Sequence, residues 1–464
     1  MTGVALLLNY VETMVLPGLL KIQSYFAVTN PSLIAWVTSG FLIVGSAVSP
    51  LFGKLGDSYG KKRMFLIALV FYTAGVGIAG FSPSIYFLIA ARAIQGIGFA
   101  VVPLALAIIA ETFPKERIAT AQGLISATFA IGAAAGLTIG AYIVTDFGWQ
   151  WAFHSAFILS LLLFAVVWRG LPSGSPGTRR RVDFSTVVLL MAGVSLVLLY
   201  LTEGPYPEPN GSWFSANELV YLTAGLLLTV GFFVAEARRK NPLIALHLLR
   251  IRNVFVSNMV GIISGIAMFM LFFGVVYYAQ LKTQFGGLGL DPIGMGLTVA
   301  PGTVLMLVVG PGIGRLVTKA GPKPAMIVGA LIGIAGFLLF IFNRATTMDL
   351  TIDSAVGLVG AVSVIIPIVN MITVSLPGET VATGLGLNTM LRNIGGAIGP
   401  VVATTILTSY SSPLPVPPYF IPKSVAFDYI FYGAVAAMLL IIVFALVAKN
   451  YTFGRNQNNH QPAS

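Results

Sequence analysis

The chain of 464 residues contains no cysteine. Disulfides, thiolate metal sites and cysteine nucleophiles are therefore excluded. Histidine is scarce as well: three scattered residues and no HExxH-type cluster give a catalytic metal no ligand set, so no metal site is expected. Charge is the third scarcity. Only 9% of residues are charged and 57% are hydrophobic, with a mean hydropathy of +0.91. A soluble domain carries about 25% charged residues. So few charges cannot cover a water-exposed surface of this size, and the solvent must be mostly lipid. No G-x-x-x-x-G-K-[ST] loop is present to support ATP drive. No Ser/His/Asp constellation at a consistent depth points to an enzyme.

What is present is a series of long apolar runs. A spanning helix needs about 20 such residues to cross about 30 Å of hydrocarbon. Runs of that kind fall at 3–24, 33–53, 64–82, 84–110, 119–145, 151–168, 184–202, 217–236, 254–280, 294–314, 325–343, 353–375, 381–410 and 426–448. Their glycine content and lack of alternation predict helices rather than barrel strands. The first run begins by residue 3 without a basic leader and is expected to be a span, not a signal peptide. With the N-terminus inside, 20 of the 26 Lys and Arg fall in inner loops, and Lys21, Lys282, Arg344 and Lys423 fall outside. That bias sets topology. It predicts a multi-pass protein of the cytoplasmic membrane with both termini cytoplasmic, and the net charge of +11 then needs no nucleic-acid partner.

The chain repeats itself. GRLVTKAGPKP at 314–324 echoes GKLGDSYGKKR at 53–63, an offset of 261. Independently, Gly123, Gly132 and Gly136, followed by Gly140, are matched at an offset of 263 by Gly386, Gly395 and Gly399, followed by Pro400. Two homologous halves follow, with a substrate site expected between them at mid-membrane. The fold class expected is all-α integral membrane: two pseudo-symmetric six-helix bundles, 1–169 and 253–448, an inserted helix pair with linkers at 170–252, and a cytoplasmic tail at 449–464. Small residues at helical spacing allow close helix packing, within a bundle or at the boundary between the two.

GKLGDSYGKKR concentrates charge where the chain has little. Gly53 and Gly60 permit close approach and a tight turn, Leu55 supplies an apolar contact, and Lys62 and Arg63 anchor topology. Asp57 sits at a helix C-terminal end, where a carboxylate is disfavoured. It is expected to pair with Lys61 or a neighbouring helix, with Glu111 extending the network into a gate between the halves.

Glu12 lies roughly 15 Å into span 1, and Arg92 roughly 12 Å in from the far end of span 4, at 1.5 Å per residue. Buried charge of this kind is functional by default. Glu12 is expected to bind a coupling proton and Arg92 to tune it, the competing reading being a structural ion pair. Asn9, His154, Tyr277, Tyr278, Gln280, Asn370, Asn388 and Arg392 are candidate cavity liners. The alternative is interhelical hydrogen bonding for the Asn and Gln residues, hydrogen-bonded packing for His154, lipid or core contact for the tyrosines and capping of a neighbouring helix for Arg392.

GKLGDSYGKKR resembles the loop signature between the second and third helices of the major facilitator superfamily. RAIQGIGFA, with Arg92, Gln95 and Gly96, resembles its fourth-helix motif, and the fifth-span glycines resemble the pattern of its antiporters. TEGP at 202–205 and WQW at 149–151 look like the fourteen-span drug:proton antiporters. Leu137 stands where that pattern has proline, Ala141 where it has glycine and Thr318 where the first loop has aspartate. The resemblance implies a monomeric secondary transporter with a small-molecule substrate, no cofactor and protons as coupling ion. It implies export of drugs or other lipophilic or amphiphilic compounds by alternating access. Rival readings are a uniporter, a symporter, a metabolite or lipid exporter, and a non-transporting sensor.

Overall fold

The computed structural model of the protein describes residues 1–112, 125, 128, 131–171, 184–204, 213–239, 242–413 and 420–451. Among them, thirteen helices are long and apolar enough to cross a membrane. With one shorter apolar helix, α5, they run in chain order as α1 (Thr2–Tyr25), α2 (Pro31–Tyr59), α3 (Lys61–Ala79), α4 (Ile85–Ile109), α5 (Ile131–Asp146), α6 (Trp149–Gly170) and α7 (Ser185–Glu203). They continue as α8 (Ala216–Arg238), α9 (Arg252–Gln280), α10 (Pro292–Ala320), α11 (Pro322–Phe342), α12 (Thr347–Ser375), α13 (Thr380–Ser409) and α14 (Ser424–Val447). The expected fifth span corresponds to α5 over its described part, and Gly123 lies outside the described residues. The strands described are a short antiparallel pair, β1 (Ser411–Pro413) and β2 (Phe420–Pro422), between α13 and α14.

Helix starts follow from local chemistry. Asn30 accepts from the Ser32 N–H at 2.9 Å ahead of Pro31, and Asp291 accepts from Gly294 N–H at 2.7 Å ahead of Pro292. A proline in the first turn loses no intrahelical bond. Thr346 and Asp349 close a reciprocal capping box at α12. The repeat is visible in the backbone too. Gly60 turns α2 into α3 at φ +96°, and Gly321, 261 residues on, turns α10 into α11 at φ +93°. A side chain at either position would be strained.

The two glycine rows make equivalent crossings. On α5, a Cβ on Gly132 would lie 2.7 Å from Asn9 Cβ, and one on Gly140 would lie 2.8 Å from Met14 Cα; Gly136 meets Thr13 and Tyr10. All four partners are on α1. On α13, Gly395 is pressed against the Ile262 carbonyl and Gly399 lies against Ile266, both on α9. The glycine rows thus serve packing within each bundle, α5 on α1 and α13 on α9. The boundary between bundles is made by other pairs. Ser39 of α2 donates to the Ala397 carbonyl of α13 at 2.6 Å, and Gly296 of α10 abuts the Leu137 carbonyl of α5. Since α2 corresponds to α10 and α5 to α13, these contacts are also related by the repeat.

α5 is not a regular helix throughout. Residues Gly136–Gly140 wind as a π-turn, a local unwinding that leaves carbonyls available to other groups. It sits where Leu137 replaces proline, so an irregularity persists there without one.

Because α13 contains both a crowded and an open glycine, substitutions on one helix separate packing from propensity. Gly395→Ala drives a methyl into the Ile262 backbone and is expected to destabilise by about 1–3 kcal/mol. A Cβ on Gly386 would meet nothing within 4 Å, so Gly386→Ala is expected to be neutral or stabilising by up to about 1 kcal/mol. Thermal unfolding of the detergent-solubilised protein should show the first midpoint lowered and the second not.

Candidate functional site

Lys and Arg concentrate at one end of the bundles, here called the basic face. The hydrogen bonds that join α1–α6 to α9–α14 lie towards the opposite end. Tyr277 donates to Gln23 Oε1 at 3.3 Å, Gln280 Nε2 donates to the Pro17 carbonyl at 3.0 Å, and the Ser32 and Thr408 hydroxyls lie 3.5 Å apart. The Pro17 carbonyl is free to accept because α1 breaks into a 3-10 turn at Leu16–Gly18. Nearer the basic face the bundles diverge. On α13, Ala382, Gly386, Thr389 and Arg392 recur at helical spacing and are exposed or half-buried. One turn further on, this same side of α13 closes, where a Cβ on Gly396 would lie 3.4 Å from Leu42 of α2. Opposite, Ser49 is half-buried and Gly53 has open space beside it. An opening therefore runs from the basic face to about the level of Arg392.

Glu12 stands at that level. It lies ten residues along α1 and Arg392 twelve residues along α13, roughly 15 and 18 Å from their basic ends at 1.5 Å per residue. Both side chains are half-buried and neither makes a hydrogen bond or ion pair among the described residues. The cations near enough to act on Glu12 are Arg392 and Arg92. The competing reading, a direct Glu12–Arg92 ion pair, is not what the structure has, for a geometric reason. Arg92 is fully buried, donates from Nε to the Val37 carbonyl at 3.0 Å and from Nη1 to Gln95 Oε1 at 2.7 Å, and lies 4.3 Å from the centre of the Phe41 ring. It is committed to the α2–α4 contact. Gly96 belongs to the same contact, pressed against the Phe41 carbonyl. The cation that faces Glu12 across the bundle boundary is Arg392.

The loop motif forms a compact network within the first bundle. Lys61 pairs with Asp57 at 3.2 Å and with Glu111. All three belong to the α2–α3–α4 region, so in this conformation the network does not bridge the bundles as expected. Leu55 packs at the edge of the core. Lys62 donates to the Leu171 carbonyl and Lys54 to the Pro242 carbonyl, at the ends of the linkers that flank the inserted pair.

Several expected liners have other partners. His154 packs against Gly80 and the ring of Phe81, and Tyr278 donates to the Arg344 carbonyl at 2.8 Å among Phe340 and Phe427. Tyr277 and Gln280 belong to the closure opposite the basic face. Asn9 and Asn370 donate to carbonyls of their own helices, Ala5 at 2.7 Å and Ile366 at 2.9 Å, while Asn388 ties α13 to α9 through the Ser257 carbonyl at 2.8 Å. Pro400 is buried within α13.

Sequence reasoning missed Asp353. It is 1% exposed, with neither carboxylate oxygen hydrogen-bonded. It stood at the first residue of the expected span 353–375, but the helix begins at Thr347 and carries it inside. The capping signal of Thr346 and Asp349 could have moved that boundary. Arg344 and Asp428 form an ion pair that also went unnoticed.

Fourteen apolar helices, two bundles with repeat-related crossings and a charged opening between them define a membrane transport fold. The profile of the Major Facilitator Superfamily matches residues 2–400, and the chain belongs to that superfamily. It is 25% identical over 82% of its length to the multidrug transporter protein MdtP of Bacillus subtilis, covering 70% of that protein. It is 28% identical over 89% of its length to the multidrug resistance protein Stp of Mycobacterium tuberculosis, covering 75% of it. The tetracenomycin C resistance and export protein of Streptomyces glaucescens is 26% identical over 82% of this chain and 72% of its own. Among solved structures, the POT family transporter PepTSo superposes with a TM-score of 0.67 at 12% identity, over 97% of this chain and 98% of its own. At that identity the likeness is one of fold.

Gln95 supplies a buried acceptor to a buried guanidinium. Gln95→Leu is expected to cost about 1.5–3 kcal/mol, the range for hydrogen bonds to charged groups, whereas Gln95→Glu should retain the bond. Chemical denaturation of the two variants beside wild type checks the order.

Proposed function

We propose that the protein is a secondary transporter that exports lipophilic or amphiphilic small molecules in exchange for protons, by alternating access. The observation that carries this reading is the juxtaposition of Glu12 and Arg392. Each belongs to a different bundle, they lie at matched depth, and neither has a direct protein partner among the described residues. A carboxylate placed there is sensitive to protonation, to cargo and to the distance between the bundles at once. When charged, it attracts Arg392 across the boundary. When protonated, that attraction is lost, so the proton changes the balance between bundle arrangements. Cargo reaches the same level through the opening at the basic face. The 20 Lys and Arg assigned to that side support placing it in the cytoplasm of a cell whose cytoplasmic membrane holds the protein. The names of the multidrug relatives support drugs as the cargo class. No cofactor is required, and one chain contains the whole opening, which supports a monomer as the working unit. Leu137 and Ala141 favour a second reading, facilitated transport without protons, because the antiporter pattern is altered there.

Proteoliposomes with an imposed pH gradient and a panel of lipophilic cations and neutral drugs separate the two. Wild type is expected to move protons when substrate is added, and Glu12→Gln to lose that movement while remaining folded. Equal flux in both, indifferent to the gradient, would establish the facilitator instead.

A further inference from the structure

Three cations follow the turn at Gly60. Lys61 is held by Asp57 and Glu111, and Lys62 by the Leu171 carbonyl. Arg63 is exposed and makes no hydrogen bond or ion pair among the described residues. It stands at the mouth of a cleft of 630 Å³ between α2, α3 and α7. The walls are apolar, with Leu51 and Phe52 from α2, Ile67 and Phe71 from α3, and Val187 and Met191 from α7. The lining residues that carry polar groups are Arg63 and Tyr59, both at the basic end. Phe71, Phe184 and Val188 line the cleft and are 42%, 54% and 57% exposed, so it opens sideways towards the lipid.

The dimensions fit one half of a bilayer. From Tyr59 to Val48 the α2 wall covers eleven residues, roughly 16 Å at 1.5 Å per residue. One leaflet supplies about 15 Å of hydrocarbon. We infer that this cleft binds one membrane phospholipid, with an acyl chain along the apolar walls and its phosphate on Arg63, assisted by the Tyr59 hydroxyl. A neutral lipophile would fill the walls and leave the guanidinium without a counter-charge. Free phosphate would satisfy Arg63 and leave the walls empty. An amphiphile with an anionic head and a long tail uses both, and it would join α7 of the inserted pair to the first bundle.

The full-length protein, purified in detergent and washed, is assayed for retained phospholipid by native mass spectrometry after incubation with phosphatidylglycerol or with phosphatidylcholine. Wild type is expected to retain one phospholipid. Arg63→Gln should lower retention about fivefold, the weight of one cation at a lipid surface. Met191→Trp, which fills the cleft from α7 and leaves Arg63 in place, should lower it as well. A preference for phosphatidylglycerol would assign the interaction to net negative charge, and equal retention of both lipids would assign it to the phosphate they share. Either supports the site. Retention unchanged in both variants, or displacement of the lipid by a neutral drug without effect of Arg63→Gln, would overturn it.

Discussion

Helices in lipid gain little by hiding apolar surface from a medium that is itself apolar, so a bundle depends on how closely its backbones can approach. The crossings of α5 on α1 and of α13 on α9 are the expression of that constraint here. They also place the chemistry. Asn9, Tyr10, Thr13 and Met14 face the α5 glycines, and at about 100° per residue Glu12 falls roughly 130° round from the centre of that face. The same small residues that lock α1 to its bundle therefore turn Glu12 away from it. Arg392 sits between Asn388, which bonds to α9, and Gly396, which meets α2, on the helix that makes the matching crossing.

Charges inside the bundles are handled in contrasting ways. Arg92 is shared among a carbonyl, an amide and an aromatic face. Glu236, 1% exposed, accepts from the Thr186 hydroxyl at 2.7 Å and from the Ile244 N–H at 3.1 Å, which shapes the linker after α8. Glu236 has both oxygens bonded, whereas Arg92 is held at Nε and Nη1 and keeps Nη2 without a partner among the described residues; removing a partner of either would strand a further buried polar atom. Glu12 and Arg392 are ionisable, half-buried and without such partners among the described residues, which is costly unless another state or a ligand uses them. That difference separates structural charge from candidate functional charge more sharply than depth alone.

Much of this architecture was legible in the chain. Helix positions followed from apolar length, and the halves from the loop motif and the glycine spacing, because both record backbone requirements that recur whenever the fold recurs. Gly60 and Gly321 are the clearest case, with one turn conformation predicting the other. The Asp57–Lys61–Glu111 pairing was legible as well, but the charge opposite Glu12 was not. Depth along a helix can be counted, but Arg92 is committed to the α2–α4 contact, and the cation across the boundary, Arg392, is 380 residues away from Glu12 in sequence. Asp353 was hidden by a helix start six residues earlier than hydropathy placed it. The other partners of several candidate liners were hidden for a related reason. Tyr277, Tyr278 and His154 are polar at one atom and apolar over the rest, and composition cannot say which part meets the gap.

The end of α7 touches both bundles. Thr202 accepts from Trp36 Nε1 at 2.9 Å through its hydroxyl and from Asn30 Nδ2 at 3.3 Å through its carbonyl, while the Leu201 carbonyl takes the Thr405 hydroxyl at 2.8 Å. Any arrangement that parts α2 from α13 at this end must surrender one set or the other. The inserted pair thus ties the two bundles at this end through a fixed set of hydrogen bonds, each worth about 0.6 kcal/mol in a membrane setting. The contact between the bundles at this end is therefore a three-body one, in which loosening either bundle from α7 also weakens the other's anchorage.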